Sequence, residues 1–334
     1  MSKDTAVEIL ESGVFEHPAA VAWRKFAPGF VEPRSIAVLK GRRHSSVYRL
    51  EGAGPRGAAV IVKRCGRAAA EIERAVYADI LPALPVTTLH LYGWQIEDRE
   101  RQGHPQCWLF LEDAAGEKYS TLVEEHRSLA GQFLGAMHAA AACLHTRTCL
   151  PEIGPAHYLH KLRSIAEVIR RGFANPALHA PDFIELEAIL VQFAILESHW
   201  DEVAAACDGM PRTLVHGDLA TKNARVRSSR AGASLVVMDW ETAGWGTPAI
   251  DLAQSVGSAL SPDLAAYLSA VAAWWPNVAS LAKIAEAGKI FRLIAAANWA
   301  VDSLASPWVE RCMRNLRIYR AAMADSIREA GWGI

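Results

Sequence analysis

The sequence has no strong excess of charge of either sign. Thirty-five Lys and Arg stand against 36 Asp and Glu, for a net charge of −1 and a pI near 6.9. That balance argues against a general binder of nucleic acid or anionic membrane, both of which select a basic bias, so neither is expected as a partner. It also lacks any uninterrupted apolar run approaching roughly 18 residues, which excludes an ordinary membrane-spanning helix. The opening stretch, MSKDTAVEILESG, does not have the basic-then-apolar order of a signal peptide. Cysteine is sparse and scattered: Cys65, Cys107, Cys143, Cys149, Cys207 and Cys312 form no C-x-x-C pair. They read as reduced small hydrophobes in a cytoplasmic protein, with neither a disulfide framework nor a zinc site. His157 and His160 stand three apart but have no nearby Cys or carboxylate to complete a metal site. Internal repeats and long low-complexity linkers are absent as well.

What is present is enough apolar material for a large core. At 334 residues and 51% hydrophobic, the chain favours two subdomains. Before about residue 115, short β-type runs recur: SIAVLKG, SSVYRLEG, AAVIVKRC and CWLFLED, bounded by Gly, Pro or charge. Between the last two lies AAAEIERAVYADILPAL, apolar at helical spacing and ending at a Pro. This predicts an N-terminal lobe over 1–113, a small antiparallel sheet carrying one helix, with a leading helical segment over about 1–30. The remainder, 114–334, is Ala-rich and mostly helical, with SLAGQFLGAMHAAAACLH as a helix buried on most sides. Residues 213 to 240 interrupt it: TLVHG, ARVRS and SLVVMDW read as short strands around loops.

Those loops hold the unusual polar residues. Asp218 and Asn223 form H-G-D-x-x-x-x-N, and Asp239 ends an apolar run sixteen residues after Asn223. Upstream, Lys63 ends the apolar strand AAVIVK, with Glu73 on the helix after it. Phosphoryl transfer from a nucleotide needs a carboxylate for the proton of the attacking hydroxyl, hard oxygens for Mg²⁺, and a cation on the phosphates. Asp218 fits the first role, Asn223 and Asp239 the second, and Lys63 the third, with Glu73 holding Lys63 by an ion pair. Each also has a plainer reading. Asp and Asn between strands are common turn formers, Lys63 alone reads equally as a surface residue, and Glu71 competes with Glu73. His216 reads as a packed loop residue, and Lys222 as a solvated one or a phosphate contact.

The combined pattern resembles the aminoglycoside phosphotransferase and choline kinase-like group of small-molecule kinases. LVHGDLATKNARV followed by VVMDWETAGWGTPAIDLA carries the resemblance densely from Val215 to Ala253. It extends more loosely to Lys63, Glu73 with Tyr77, LFLED and LGAMHA. The resemblance implies an α+β, bilobal protein-kinase-like fold and an O-phosphotransferase that uses ATP or GTP with Mg²⁺ on a small hydroxylated acceptor. It implies that Asp218 is the catalytic base, Asn223 and Asp239 the magnesium ligands, and Lys63 with Glu73 the phosphate anchor. Asp251 would brace the Asp218 loop, and the backbone of Glu112, Asp113 and Ala114 would meet the nucleotide base.

Two departures stand out. KGRRHSSVYRL has a single glycine, Gly41, so Ser45 and Ser46 would have to contact phosphate. Twelve residues separate Asp239 from Asp251, too few for a long activation loop that binds a protein substrate. Most of the eleven Trp are expected as core anchors. Trp274, Trp275, Trp299 and Trp308 fall in the C-terminal helices, the acceptor region of the group, and Trp299, Asp302 and Glu241 are the acceptor-binding candidates. Lys and Arg outnumber Asp and Glu over residues 280–334, which weakens a polycationic acceptor. An antibiotic hydroxyl is the leading expectation. A metabolic kinase acting on a sugar, amino alcohol or choline-like acceptor is the alternative, and a protein kinase or a non-catalytic pseudokinase ranks below both.

Overall fold

The computed structural model describes residues 8–27, 29, 31–41, 45–97, 105–144, 150–230, 232–272 and 278–333. Trp274, Trp275 and Cys149 lie outside the described residues. Contacts divide the chain into two units: Met1–Glu117 with Thr146–Thr148 and Asn223–Thr242, and Lys118–His145 with Cys149–Lys222 and Ala243–Ile334. Residues 223–242, which the sequence places in the second lobe, thus pack with the first unit. No helix among the described residues is long and apolar enough to cross a membrane.

The first unit is built on strands β1 (Glu8–Leu10), β2 (Ile36–Gly41), β3 (Ser45–Leu50), β4 (Val60–Gly66), β5 (Leu91–Ile96) and β6 (Gln106–Glu112). They form one antiparallel sheet in the order β1-β2-β3-β4-β6-β5. Alternation along β4 sorts its two faces. Val60 and Val62 join Trp23 and Phe110 in one cluster, while Cys65 joins Cys107, Leu109 and Ala70 in another. Helix α1 (Pro18–Phe26) covers the first face, with Phe26 stacked on Phe110 at 4.8 Å and Trp23 Nε1 donating to Ala53 O at 3.0 Å. Helix α2 (Arg67–Ala75) covers the second and runs into a wide turn over Val76–Ile80 before Pro82 stops it. The leading segment is therefore not helical throughout. Its described part begins with the edge strand β1, paired Glu8↔Val38 to Leu10↔Ile36, and turns helical only at Pro18.

After the two-residue strand β7 (Glu117–Lys118), the second unit runs through α3 (Glu124–Ala142), α4 (Pro155–Gly172), α5 (Ala180–Ser198) and α6 (Trp200–Ala205). Strand β8 (Thr213–Val215) follows, then β9 (Ala224–Ser229) and β10 (Gly232–Val237), which form a hairpin belonging to the first unit. Strand β11 (Gly244–Gly246) returns to pair with β8, matching Val215↔Gly244 and Thr213↔Gly246. Helices α7 (Leu264–Val271), α8 (Val278–Val301) and α9 (Glu310–Glu329) complete the unit. Helix α3 is buried around most of its girth, as its apolar composition predicts, and includes His138 at 0% exposure. Asp263 caps α7, accepting from the backbone N–H of Ala265 at 2.8 Å.

Helix α8 lies hard against the short helical segment Pro248–Leu252. A Cβ added to Gly288 would sit 1.7 Å from Ala249 O, so only glycine allows this approach. Gly288→Ala must push the two segments apart. It is expected to lower the urea unfolding midpoint by the equivalent of ~1–3 kcal/mol or more, whereas an unchanged midpoint would show that α8 shifts without penalty.

Candidate active site

In the first unit, the β4 register places Lys63 on the face that α2 covers, and the buried side of α2 supplies Glu73. Lys63 Nζ lies 2.7 Å from Glu73 Oε1, 2.5 Å from Asp239 Oδ1 and 2.9 Å from Glu241 Oε2. Glu71 pairs instead with Arg67, at 2.7 Å on the exposed side of the helix. Lys63 is 4% exposed and Glu73 fully buried. Burial works to lower the Lys63 pKa, but Glu73, Asp239 and Glu241 outweigh it and hold the ammonium well above its ordinary range. Burial pushes the Glu73 carboxyl up to about 7, with Lys63 opposing.

Asp239 and Glu241 reach this cluster because Trp240 between them points the other way. The indole is 0% exposed, and Nε1 donates to Val237 O at 3.3 Å. Asp239 itself is held at φ 68, a left-handed conformation that costs an Asp of order 1–3 kcal/mol and is typical of functional positions. Glu241, expected at the acceptor, is thus placed with Lys63. Asn223 is 4% exposed in the turn before β9, and its carbonyl accepts from Met238 N at 2.9 Å.

The donor set fits a hard divalent cation. Carboxylate oxygens of Glu73, Asp239 and Glu241 lie within 4.8 Å of one another, and the Lys63 ammonium bonds all three. The second Glu73 oxygen, Oε2, is buried with no hydrogen-bond partner among the described residues.

The expected base-binding segment is partly occupied. Arg227 from β9 donates to Asp113 O at 2.8 Å and to Ala114 O, and pairs with Glu112 Oε1 at 2.9 Å. Arg49 Nε holds the Asp113 carboxylate at 2.6 Å. Ser45 and Ser46 lie at the start of β3, paired with Cys65 and Arg64. The Ser45 hydroxyl is buried with no hydrogen-bond partner among the described residues.

In the second unit, Asp218 follows β8 in a loop fixed from below. The buried Asp251 carboxylate accepts from His216 N at 2.7 Å and from Gly217 N at 3.1 Å, with His138 Nε2 at 3.5 Å. Gly217 takes φ 79, the left-handed turn that aims the next residue away from this bond pair. Burial alone would raise the Asp251 pKa, but His138 and the His216 N–H win and hold it below the ordinary value. On the far side of the loop, Thr221 N donates to Ser258 O at 2.9 Å. The Asp218 carboxylate is 32% exposed, with Lys222 Nζ at 3.4 Å and Arg292 Nη2 at 3.6 Å.

Arg292 is the residue that sequence reasoning missed, counted only among the charges of the C-terminal helices. Its signal was a single charge within the apolar run IFRLIAAA, four residues after Gly288. Trp299 is 57% exposed on α8, Trp308 is 77% exposed, and burial raises the Asp302 pKa.

A sequence profile described as the phosphotransferase enzyme family matches residues 35–284, most of the chain. No curated protein matches the chain by sequence. Solved structures with the same fold include a microcompartment-associated aminopropanol kinase, at 14% identity and TM-score 0.62 over 89% of this chain and 92% of that one. A macrolide 2′-phosphotransferase type I matches at 18% identity and TM-score 0.56, over 92% and 98%. The GDP complex of aminoglycoside 2′-phosphotransferase-IIIa matches at 12% identity and TM-score 0.58, over 87% and 94%. The fold is the two-lobed, kinase-like α+β fold that the motifs imply.

Removing Lys63 would leave three carboxylates facing one another. Lys63→Ala is expected to cost ~3–5 kcal/mol near pH 8, the range for breaking a buried ion pair. The raised Glu73 pKa, from 4.5 to about 7, means that its stabilising contribution is full below 4.5 and lost as pH rises through 7. The loss in the variant should therefore shrink near pH 5.5. Urea titrations at both pH values measure it, and equal losses would show that charge repulsion is not the cause.

Proposed function

Because the chain belongs to the phosphotransferase enzyme family, we propose that it transfers the γ-phosphoryl group of ATP or GTP to a hydroxyl of a small molecule, with Asp218 as the base. The observation that carries this reading is the charge of the Lys63 cluster: one ammonium among three carboxylates, with one buried carboxylate oxygen unbonded. Such a cluster is prepared for a divalent cation and the phosphates it accompanies.

In this reading Lys63 binds the α- and β-phosphates, and Glu73 keeps its ammonium in place. Asn223 and Asp239 would hold Mg²⁺, with the Glu241 carboxylate in the same cluster as Asp239. When bound, the ion neutralises developing charge on the phosphate oxygens. Ser45 offers its buried hydroxyl to a phosphate. The backbone from Glu112 to Ala114 meets the nucleotide base with the groups that Arg227 leaves open. Asp218 accepts the proton of the acceptor hydroxyl as its oxygen bonds to the γ-phosphorus. The bond from that phosphorus to the bridging oxygen breaks, and the nucleoside diphosphate leaves. Asp251 orients the loop without touching the reactants.

For the acceptor we propose an antibiotic hydroxyl, supported by the likeness to structures named as macrolide and aminoglycoside 2′-phosphotransferases. The aminopropanol kinase keeps a metabolic amino alcohol as the second reading.

Asp218→Ala should lower kcat by ~10²–10⁴, the usual contribution of a general base, with little change in Mg-nucleotide affinity. Retention of more than about a tenth of kcat would remove Asp218 from that role. Asp239→Asn should instead weaken Mg-nucleotide binding in a calorimetric titration, and unchanged affinity would remove it from the metal site.

A further inference from the structure

Arg292 is buried without the partners that a buried guanidinium needs. It is 8% exposed, and it donates no hydrogen bond to any described residue. Its nearest carboxylate oxygen, on Asp218, is 3.6 Å away. The groups that face it are Asp218, Asp251 from the Pro248–Leu252 segment, Tyr158 from α4 and Tyr319 from α9. A structural Arg of this kind is usually forked onto a carboxylate at about 2.7–2.9 Å, because five N–H donors taken out of water are otherwise expensive. Here the fork is unused. Nor is the side chain free to withdraw, since Gly288, one turn earlier, pins α8 to the segment that carries Asp251.

The helix face beyond Arg292 is open. Ala295 and Ala296 are half-buried, and Trp299, seven residues on and so on the same face, is 57% exposed. At 1.5 Å per residue the backbone positions of Arg292 and Trp299 stand about 10 Å apart along the axis, with Ala295 and Ala296 between them. A cation at one end, an alanine floor and an exposed ring at the other suit a ligand with an oxyanion and an apolar or planar part. The cations around Asp218, Arg292 and Lys222, repel an acceptor that is itself positive.

We propose that Arg292 is an acceptor-binding residue whose guanidinium takes a carboxylate or phosphate oxyanion of the hydroxylated acceptor beside Asp218, with Trp299 covering the acceptor's apolar part. This rests on the phosphotransferase reading above but not on its choice of acceptor: an anionic acceptor displaces the aminoglycoside, macrolide and amino alcohol hydroxyls that the likenesses support, all of which carry an amine.

The test is transfer of labelled γ-phosphate to a matched set of acceptors: hydroxycarboxylic acids, sugar phosphates, neutral polyols, amino alcohols and aminoglycosides. Wild-type protein is compared with Arg292→Gln, Arg292→Lys and Trp299→Ala. The highest kcat/KM is expected with a hydroxycarboxylate or a sugar phosphate, and which of the two identifies the source of the oxyanion. Arg292→Gln should raise KM for that acceptor roughly ten- to a hundredfold, the value of charge-assisted hydrogen bonds, with a smaller change in kcat. Arg292→Lys should restore only part of the affinity, because a lysine cannot fork. Trp299→Ala should raise KM only for acceptors that carry a ring or alkyl group. Mg-nucleotide affinity, measured separately on each variant, should stay within about twofold, which also confirms that the variants fold. Preference for a cationic or neutral acceptor, no transfer to any member of the set, or an unchanged KM in Arg292→Gln would overturn the proposal. So would an effect of Arg292→Gln on nucleotide affinity in place of acceptor KM, which would assign the guanidinium to the donor phosphate. Failure of the wild-type protein to bind Mg-nucleotide at all would instead overturn the phosphotransferase reading itself.

Discussion

The Asp251 carboxylate is the buried charge on which the Asp218 loop depends. An isolated carboxylate in a protein interior is prohibitive, and it persists only if its lone pairs are taken up by donors. Here the donors are the backbone N–H groups of His216 and Gly217, with His138 from α3 in ion-pair reach. Charge and loop therefore require each other: releasing the loop strands the charge, and neutralising the charge frees the loop. Gly288 extends the same constraint to α8, because its missing Cβ lets that helix rest on the segment carrying Asp251. Asp218 and Arg292 inherit their positions from interior contacts, which are stiffer than surface ones.

The Lys63 cluster follows the opposite logic. Where Asp251 is compensated, Lys63 is surrounded by more negative charge than it neutralises, and Glu73 keeps an oxygen unbonded among the described residues. Two things relieve such an imbalance, a proton or a cation. The rise of Glu73 to about 7 is the proton's signature. The left-handed Asp239, fixed by the buried Trp240 beside it, is the cost of aiming a further carboxylate at the same point. Neither feature improves the stability of the first unit. Both are intelligible if the cluster is completed by a ligand.

Much of this was legible in the sequence, and the gaps have physical causes. Strands β2, β3, β4 and β6 show their alternation or apolar runs plainly, because each has at least one face in the core. The short β1 is an edge, and β5 carries a bulge at Gly93 and no fully buried residue, so neither has a pattern to detect. Residues 223–242 read as part of the helical lobe because chain order cannot reveal which sheet or core a hairpin joins. Glu241 was read toward the acceptor because nothing in D-W-E shows that the Trp is swallowed and both acids turn to one side. The Arg227 fork onto Asp113 and Ala114 spans more than a hundred residues of chain, beyond any local pattern. Arg292 did leave a trace, one charge in an apolar run, but a charge on a helix ordinarily means a solvated face. Only burial shows that this one is not.

If Asp218 is the general base, as proposed, a guanidinium beside it is at first sight a poor arrangement. In phosphoryl transfer the objection carries little weight, because the transition state is loose and catalysis asks more of the orientation of Asp218 than of its proton affinity. Arg292 at 3.6 Å is close enough to steer the carboxylate and too far to engage it in a tight fork. That distance keeps the guanidinium's fork available to a third group. In the proposed complex the acceptor hydroxyl meets the carboxylate, and an oxyanion of the same molecule meets the guanidinium. A cationic acceptor offered to the same pair would satisfy Asp218 by charge and leave Arg292 more exposed to repulsion than before. If Arg292 takes the acceptor as proposed, selection comes from the guanidinium donors that Asp218 does not engage, which is how a buried polar site rejects a near-isosteric competitor most strongly.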